Sequence, residues 1–93
     1  YVYLFLEALI DGGVASGLSR EDARGLAVQT VLGAAAMALE TGQHPAVLRN
    51  MVTSPAGTTA AALTRLEKSS IRGALIEAVL EAAARSKELR DGQ

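Results

Sequence analysis

The first ten residues, YVYLFLEALI, constrain the fold more than any other stretch of the chain. As a helix, this stretch would carry apolar side chains around most of its circumference, with Glu7 as the interruption. A helix that is apolar nearly all round must be buried on several sides. A single chain of 93 residues buries only about 60–65% of its unfolded surface, so its own core is thin. The stretch therefore predicts burial against a second subunit.

The rest of the chain also carries helical signals. Proline occurs only at Pro45 and Pro55, and no stretch alternates apolar and polar residues over several positions as a strand would. The periodicity predicts helices over about 1–15, 20–41, 45–51, 58–68 and 71–90. We therefore predict one all-α domain, a helical bundle of about five helices that is interleaved with a second subunit in a dimer.

The predicted helix boundaries rest on capping chemistry. Ser19 followed three residues later by Asp22 has the pattern of a capping box at a helix N-terminus. Gly25 and Gly33 lie inside the second predicted helix, where each costs up to about 1 kcal/mol relative to alanine. We expect them, with the alanines nearby, to mark a close approach between helices. The other stops and caps are expected at Gly17, Gly42 and Ser69 or Ser70.

Composition excludes several classes of function. The formal net charge of −1 argues against a nucleic-acid partner, which would call for a concentrated basic face. The chain has no cysteine and one histidine, so we expect no metal site within a single chain. The opening apolar run is far shorter than the ~20 residues that span a bilayer, and no secretory signal is visible. We expect no membrane partner and a cytoplasmic location.

Two groups of titratable side chains are candidates for catalysis, and each has a simpler explanation. Glu7 and Asp11 lie one helical turn apart, as paired carboxylates for acid–base chemistry could. A polar stripe on an otherwise apolar helix explains them better, since no partner group can be identified. His44 precedes Pro45 and is better explained as a helix cap or surface residue than as a catalyst.

The run SPAGTT, residues 54–59, is the richest candidate for a site. It supplies the hydroxyls of Ser54, Thr58 and Thr59, with Thr53 just before it, and Gly57 would let a ligand approach the backbone closely. The helix that follows offers unpaired N–H groups and a partial positive charge, which favour a small anion such as a carboxylate. From the residues alone, a capped loop between two helices is an equally good explanation.

A family resemblance separates these alternatives. Residues 45–67, PAVLRNMVTSPAGTTAAALTRLE, strongly resemble the signature of pyrroline-5-carboxylate reductases. The upstream YVYLFLEALIDGGVASGLSREDARGLAVQTVLGAA and the closing IRGALIEAVLEAAARSKEL are similar to the C-terminal domain of that family. The resemblance implies reduction of Δ1-pyrroline-5-carboxylate to L-proline with NADPH or NADH, the last step of proline biosynthesis. It also implies a helical domain that dimerises by interleaving, with further assembly into decamers in many members.

The resemblance also implies roles for individual residues. Ser54, Gly57, Thr58 and Thr59 become substrate contacts, with the backbone N–H groups of Gly57 and Thr58 suited to the carboxylate. Ser54 would place a second hydroxyl on that carboxylate, and Thr59 becomes the catalytic candidate because its hydroxyl falls near the ring nitrogen. Ala56 stands where many members carry a glycine. Because alanine does not take a positive φ cheaply, we expect ordinary helical or extended backbone there.

A nucleotide-binding unit is missing from the sequence. No strand followed by G-x-G-x-x-G and a helix occurs, and the glycines in DGGV, residues 11–14, lie in a helical context. We therefore expect residues 1–93 to be the helical dimerisation and substrate-binding domain of a reductase, with the N-terminal Rossmann domain absent and the isolated chain inactive. The alternative is a stand-alone helical dimerisation or protein-interaction module. The coding sequence upstream of Tyr1 would distinguish the two.

Overall fold

The computed structural model describes residues 1–92, which form five helices. No strand occurs within those residues, so the expected all-α class is confirmed. Each helix boundary lies within one residue of its predicted position. None of the helices in the described part is long and apolar enough to cross a membrane. The helices are α1 (Val2–Ala15), α2 (Arg20–Thr41), α3 (Pro45–Met51), α4 (Thr58–Lys68) and α5 (Ile71–Asp91).

The chain divides into two compact units, Tyr1–Leu48 and the residues from Arg49 onward. The first unit is built on α1 and α2, which are joined by a tight connection. At the end of α1, the Leu18 N–H donates to the Gly13 carbonyl at 3.1 Å, and the Gly17 N–H donates to the Val14 carbonyl at 3.0 Å. Gly17 has φ +116, so these bonds form the left-handed closure of a Schellman motif. The prediction that α1 stops at Gly17 is confirmed.

Side-chain capping fixes the start of α2. The Ser19 hydroxyl oxygen accepts a hydrogen bond from the Asp22 N–H at 3.1 Å, as the capping pattern predicts. An exposed ion pair between Arg20 and Asp11, with an Nη1–Oδ1 distance of 3.2 Å, links the first turn of α2 to the last turns of α1. At its other end α2 closes on Gly42, whose φ of +65 is left-handed. Both ends of α2 are therefore set by local chemistry.

The helices α1 and α2 approach closely at Gly13. A Cβ atom placed on Gly13 would lie 2.9 Å from the Cβ of Ala23, so the two backbones meet where neither residue carries a large side chain. Ala23 is 2% exposed and Ala27, one turn later, is 7% exposed. The expectation of close approach at Gly25 and Gly33 is wrong within the protomer, because a Cβ on either would have no neighbour within 4 Å.

The second unit joins α4 to α5 through a left-handed serine. Ser70 has φ +58 and occupies the N-cap position of α5, but its side chain makes no capping hydrogen bond. The Ser69 N–H instead closes α4 by donating to the carbonyls of Arg65 and Leu66. An exposed ion pair between Arg72 and Glu67, with an Nε–Oε1 distance of 2.8 Å, spans the same corner. Ser70 therefore caps α5 by position and not through its hydroxyl.

Large apolar side chains remain exposed in the single protomer. Tyr3 on α1 is 82% exposed and Leu4 beside it is 67% exposed. Ala23 and Ala27 are the only buried hydrophobic residues of the described chain. Exposed large apolar side chains in adjacent positions of one helix are typical of a surface that contacts another protein. On α5 the exposed apolar residues include Leu75, Ile76, Val79 and Leu80.

Candidate functional site

The candidate site begins where α3 ends. Thr53 lies two residues after the last residue of α3, and its hydroxyl donates a hydrogen bond of 2.6 Å to the Arg49 carbonyl, one helical turn back. The Thr53 backbone N–H donates to the Asn50 carbonyl at 3.3 Å. These two bonds tie the approach to the SPAGTT run to the last turn of α3. The hydroxyl bond of Thr53 was not predicted from the sequence, although a threonine often bonds in this way to the helical carbonyl four residues before it.

A tight turn follows over Ser54, Pro55, Ala56 and Gly57. The Gly57 N–H donates to the Ser54 carbonyl at 3.0 Å, which closes the turn. Ala56, at the third position, has φ +58. Proline at the second position and a positive φ at the third are the features of a type II turn.

The expectation of ordinary backbone at Ala56 is therefore wrong. That expectation used the preference of alanine alone, whereas Ala56 occupies the third position of a type II turn, and that position has a positive φ. Holding an L-residue in the left-handed region costs about 1–2 kcal/mol. The turn at the candidate site is consequently strained at one residue.

Gly57 is needed for its lack of a side chain and not for an unusual backbone angle. Its φ of −83 and ψ of 179 are open to any residue, and it serves as the N-cap of α4. A Cβ atom on Gly57, however, would collide with the Ser54 hydroxyl oxygen and would lie 3.2 Å from the Ser54 carbonyl oxygen. The structure thus brings together two of the predicted site residues, Ser54 and Gly57.

The first turn of α4 presents unpaired backbone donors. The Gly57 N–H is already used by the turn, and the Gly57 carbonyl accepts from the Ala61 N–H at 3.1 Å. The N–H groups of Thr58, Thr59 and Ala60 have no acceptor within residues 1–92. Such groups carry the partial positive charge of a helix N-terminus and suit an anion. The backbone N–H groups of this segment that are free for a ligand therefore begin at Thr58, because the Gly57 N–H is used by the turn.

The hydroxyl groups of the site differ in exposure. Ser54 and Thr58 are exposed, whereas Thr59 is half-buried, as is Ala60 after it. None of the hydroxyls of Ser54, Thr58 and Thr59 forms a hydrogen bond to another described residue. They are therefore open to a ligand, and Thr59 is the one that the protein partly shields from water.

The other candidates have structural roles. The His44 Nδ1 accepts a hydrogen bond from the Ala46 N–H at 3.0 Å, so His44 caps α3 as the simpler explanation predicted. Asp11 pairs with Arg20, and Glu7 is exposed on α1. Within the described residues no group of three or more histidine, aspartate or glutamate side chains could hold a metal ion. Acid–base chemistry therefore gains no support at Glu7 and Asp11.

Comparison with known proteins places the whole chain in one context. A family model described as pyrroline-5-carboxylate reductase dimerisation matches residues 1–89. A pyrroline-5-carboxylate reductase of Arabidopsis thaliana is 60% identical over 89 residues, which are 96% of this chain and 32% of that protein. A pyrroline-5-carboxylate reductase of Escherichia coli is 45% identical over 89 residues, 96% of this chain and 33% of that protein.

Solved structures agree with these relatives. A pyrroline-5-carboxylate reductase of Coxiella burnetii superposes with a TM-score of 0.91 at 48% identity, over 96% of this chain and 33% of that chain. A pyrroline carboxylate reductase of Plasmodium falciparum with NADP bound superposes with a TM-score of 0.89 at 44% identity, over 94% of this chain and 35% of that chain. The chain thus spans about a third of the length of the proteins that it matches.

Proposed function

Because the chain belongs to the family of pyrroline-5-carboxylate reductase dimerisation domains, we propose that it is part of an enzyme that reduces 1-pyrroline-5-carboxylate to L-proline. The observation that carries the proposal is the match of residues 1–89 to that family. In this proposal the chain is the C-terminal helical domain, the reductant is NADPH or NADH, and the reaction is the last step of proline biosynthesis. We place the enzyme in the cytoplasm.

The nucleotide is assigned to another part of the enzyme. The sequence contains no strand followed by G-x-G-x-x-G and a helix, and the one Gly-Gly pair, Gly12 and Gly13, lies inside α1. Residues of this chain therefore do not fit a dinucleotide phosphate site. We propose that an N-terminal Rossmann domain supplies it, as the NADP in the Plasmodium falciparum relative supports.

The substrate carboxylate is assigned to the start of α4. The N–H groups of Thr58, Thr59 and Ala60 belong to the first turn of α4, and the N-terminus of a helix stabilises a negative charge. The exposed hydroxyls of Ser54 and Thr58 can donate further hydrogen bonds to the carboxylate oxygens. Gly57 keeps this surface free of a side chain next to Ser54.

Thr59 is assigned to the ring nitrogen of the substrate. Thr59 is half-buried, and no described protein group accepts a hydrogen bond from its hydroxyl or donates one to it. A hydroxyl in that position can hydrogen-bond to the imine nitrogen and orient the ring. In a partly shielded site such a bond is stronger than in water. Thr59 is therefore the residue whose loss should affect the reaction most.

The proposal is tested in the full-length protein with Thr59→Ala, using Thr59→Ser to retain the hydroxyl and Thr64→Ala as a matched control further along α4. We expect Thr59→Ala to lower kcat/KM by about 10- to 100-fold, the value of one hydrogen bond to a charged group, here the protonated imine that accepts the hydride. Thr59→Ser should stay within about fivefold of the unsubstituted enzyme, and Thr64→Ala should be unchanged.

The readout is oxidation of NADPH or NADH with 1-pyrroline-5-carboxylate as substrate. Unchanged kinetics in Thr59→Ala would remove Thr59 from the site. A full-length protein without any reductase activity would overturn the proposed function as a whole. The 93-residue chain alone is expected to be inactive, and turnover by it would contradict the assignment of the nucleotide to another domain.

We propose that the partner that covers α1 is a second copy of the chain, so that the protein is a homodimer with interleaved helices. The exposure of Tyr1, Tyr3 and Leu4 in one protomer supports this, as does the dimerisation family. The resemblance adds a decamer built from such dimers. Sedimentation measurements separate monomer, dimer and decamer. Leu4→Glu should shift the protein toward monomer or unfold it. If the unsubstituted protein is a monodisperse, folded monomer at micromolar concentration, the proposed dimer is contradicted.

A further inference from the structure

The segment from residue 53 to residue 59 carries four hydroxyl groups, and Thr53 differs from the other three. Its hydroxyl donates to the Arg49 carbonyl at 2.6 Å, and the residue is half-buried. The hydroxyls of Ser54, Thr58 and Thr59 make no hydrogen bond to another described residue, so they are open to a ligand. The proton of the Thr53 hydroxyl is already committed to the protein. Any role of Thr53 in the reaction therefore acts through its neighbours.

The Thr53 hydroxyl is not needed to complete the end of α3. The Arg49 carbonyl also accepts a hydrogen bond from the Val52 N–H at 3.2 Å, so it keeps a partner if the hydroxyl is removed. The Thr53 N–H donates separately to the Asn50 carbonyl at 3.3 Å. The side chain of Thr53 thus adds a second point of attachment to a residue whose backbone is already bonded to α3. Its effect is to restrain where the chain goes next.

The next residue is Ser54, which is held from its other side by the turn. The Gly57 N–H donates to the Ser54 carbonyl at 3.0 Å, and the Ser54 hydroxyl oxygen lies where a Cβ on Gly57 would be. Ser54 is exposed, and no described residue bonds to its side chain. Its position therefore depends on its two neighbours in the chain, Thr53 before it and the turn after it.

We propose that Thr53 is a positioning residue, whose hydroxyl bond to α3 holds Ser54 where the Ser54 hydroxyl can donate to the substrate carboxylate. This inference rests on the proposed function. A group that is fixed before the ligand arrives loses less freedom on binding, so the ligand binds more tightly. The carboxylate is not the group that accepts the hydride. Loss of the Thr53 hydroxyl should therefore weaken binding of the substrate and leave the chemical step unchanged.

The test is Thr53→Val in the full-length enzyme, which removes the hydroxyl and keeps the shape of the side chain. The KM for 1-pyrroline-5-carboxylate should rise by about three- to tenfold, with kcat within about twofold. Thr53→Ser restores the donor, and its KM should stay within about twofold of the unsubstituted enzyme. The matched control is Thr64→Val, because the Thr64 hydroxyl makes the same kind of bond, to the Ala60 carbonyl at 3.0 Å. It should change neither KM nor kcat.

A double variant separates positioning of Ser54 from a general structural role. Ser54→Ala alone should raise KM, and adding Thr53→Val to it should raise KM by less than about twofold more, since the hydroxyl that Thr53 positions is gone. A structural role would instead multiply KM by the same factor with either residue at position 54. Circular dichroism and sedimentation should show Thr53→Val folded and assembled like the unsubstituted protein.

Four results would overturn the inference. They are an unchanged KM in Thr53→Val or in Ser54→Ala, the same factor in both backgrounds, an equal shift in Thr64→Val, and a Thr53→Val protein that does not fold. If Thr59→Ala still lowers kcat/KM in any of these cases, the proposed function stands while this inference falls. A full-length protein without reductase activity would overturn both.

Discussion

Gly13→Ala should separate α1 from α2, and its neighbour Gly12 provides the control. In an exposed helix interior, replacing glycine by alanine stabilises by about 1 kcal/mol. Gly12 meets that condition, since a Cβ there has no neighbour within 4 Å. At Gly13 the new Cβ would lie 2.9 Å from the Ala23 Cβ and 3.5 Å from the Leu18 Cδ1. Ordinary contact needs about 3.5–4.0 Å, so the helices must move apart by more than half an ångström.

The expected size follows from these two effects. Overpacking in a tight contact costs about 1–3 kcal/mol. The greater helix preference of alanine offsets about 1 kcal/mol of this cost. Gly13→Ala should therefore lower the free energy of unfolding by about 0–2 kcal/mol. Gly12→Ala should raise it by about 1 kcal/mol. The two variants should therefore differ by about 1–3 kcal/mol, although they are adjacent and chemically identical.

Urea unfolding followed by far-ultraviolet circular dichroism measures this difference at one fixed protein concentration, with the m-value as a check on the unfolding model. Adding Ala23→Gly to Gly13→Ala should recover part of the lost free energy of unfolding. A double-mutant cycle reports this recovery as a coupling energy between positions 13 and 23. If Gly13→Ala proves as stable as Gly12→Ala, the close contact between α1 and α2 does not exist in solution.

Three further substitutions have clear expected outcomes. Ser19→Ala should lower the free energy of unfolding by about 1 kcal/mol in the same urea assay because it removes the cap of α2, whereas Ser19→Asn should be nearly neutral. Gly57→Ala should raise KM in the full-length enzyme because the new methyl group would displace the Ser54 hydroxyl. Adding Ser54→Ala should not restore the original KM fully, because the carbonyl oxygen of residue 54 would still lie 3.2 Å from that methyl group. Asp11→Asn should change stability by less than about 0.5 kcal/mol, and by less still at high salt, because the side chains of its pair with Arg20 are 66–70% exposed and salt screens such a pair.

The helix boundaries could be predicted because single residues carry the chemistry that sets them. Ser19 supplies the oxygen that the start of α2 needs, and Gly42 supplies the left-handed backbone that its end needs. Neither requirement depends on distant parts of the chain. The predicted bounds of α2 consequently agree with the observed helix at both ends.

Contacts between elements were harder to predict. Gly25, Gly33 and Gly13 are all glycines inside helices, and each could signal a close approach. The sequence does not say which element is near each one. In the protomer the approach falls at Gly13, opposite Ala23, whereas Gly25 and Gly33 face open space. A small residue predicts room on a helix surface, but only the packing decides what fills it.

The candidate site was predicted at the level of residue type. The hydroxyls and the helix start are visible in the letters SPAGTT, and the structure places the start of α4 at Thr58. The use of each N–H group was not predictable, since it depends on the turn that Pro55 and Gly57 form together. The same turn explains why the conformational preference of alanine alone gave the wrong prediction for the backbone of Ala56.

The small interior of the protomer has a consequence for how the protein reaches its folded state. Ala23 and Ala27 are the only buried hydrophobic side chains of the described chain. In the proposed homodimer, most apolar burial would arise when two chains meet, so the productive folding step would involve a collision. Refolding from urea should then be second order, with an initial rate that rises fourfold when the chain concentration is doubled. The folding rate of such a domain would be set by how much of it is made, and two chains translated side by side would fold faster than two translated apart.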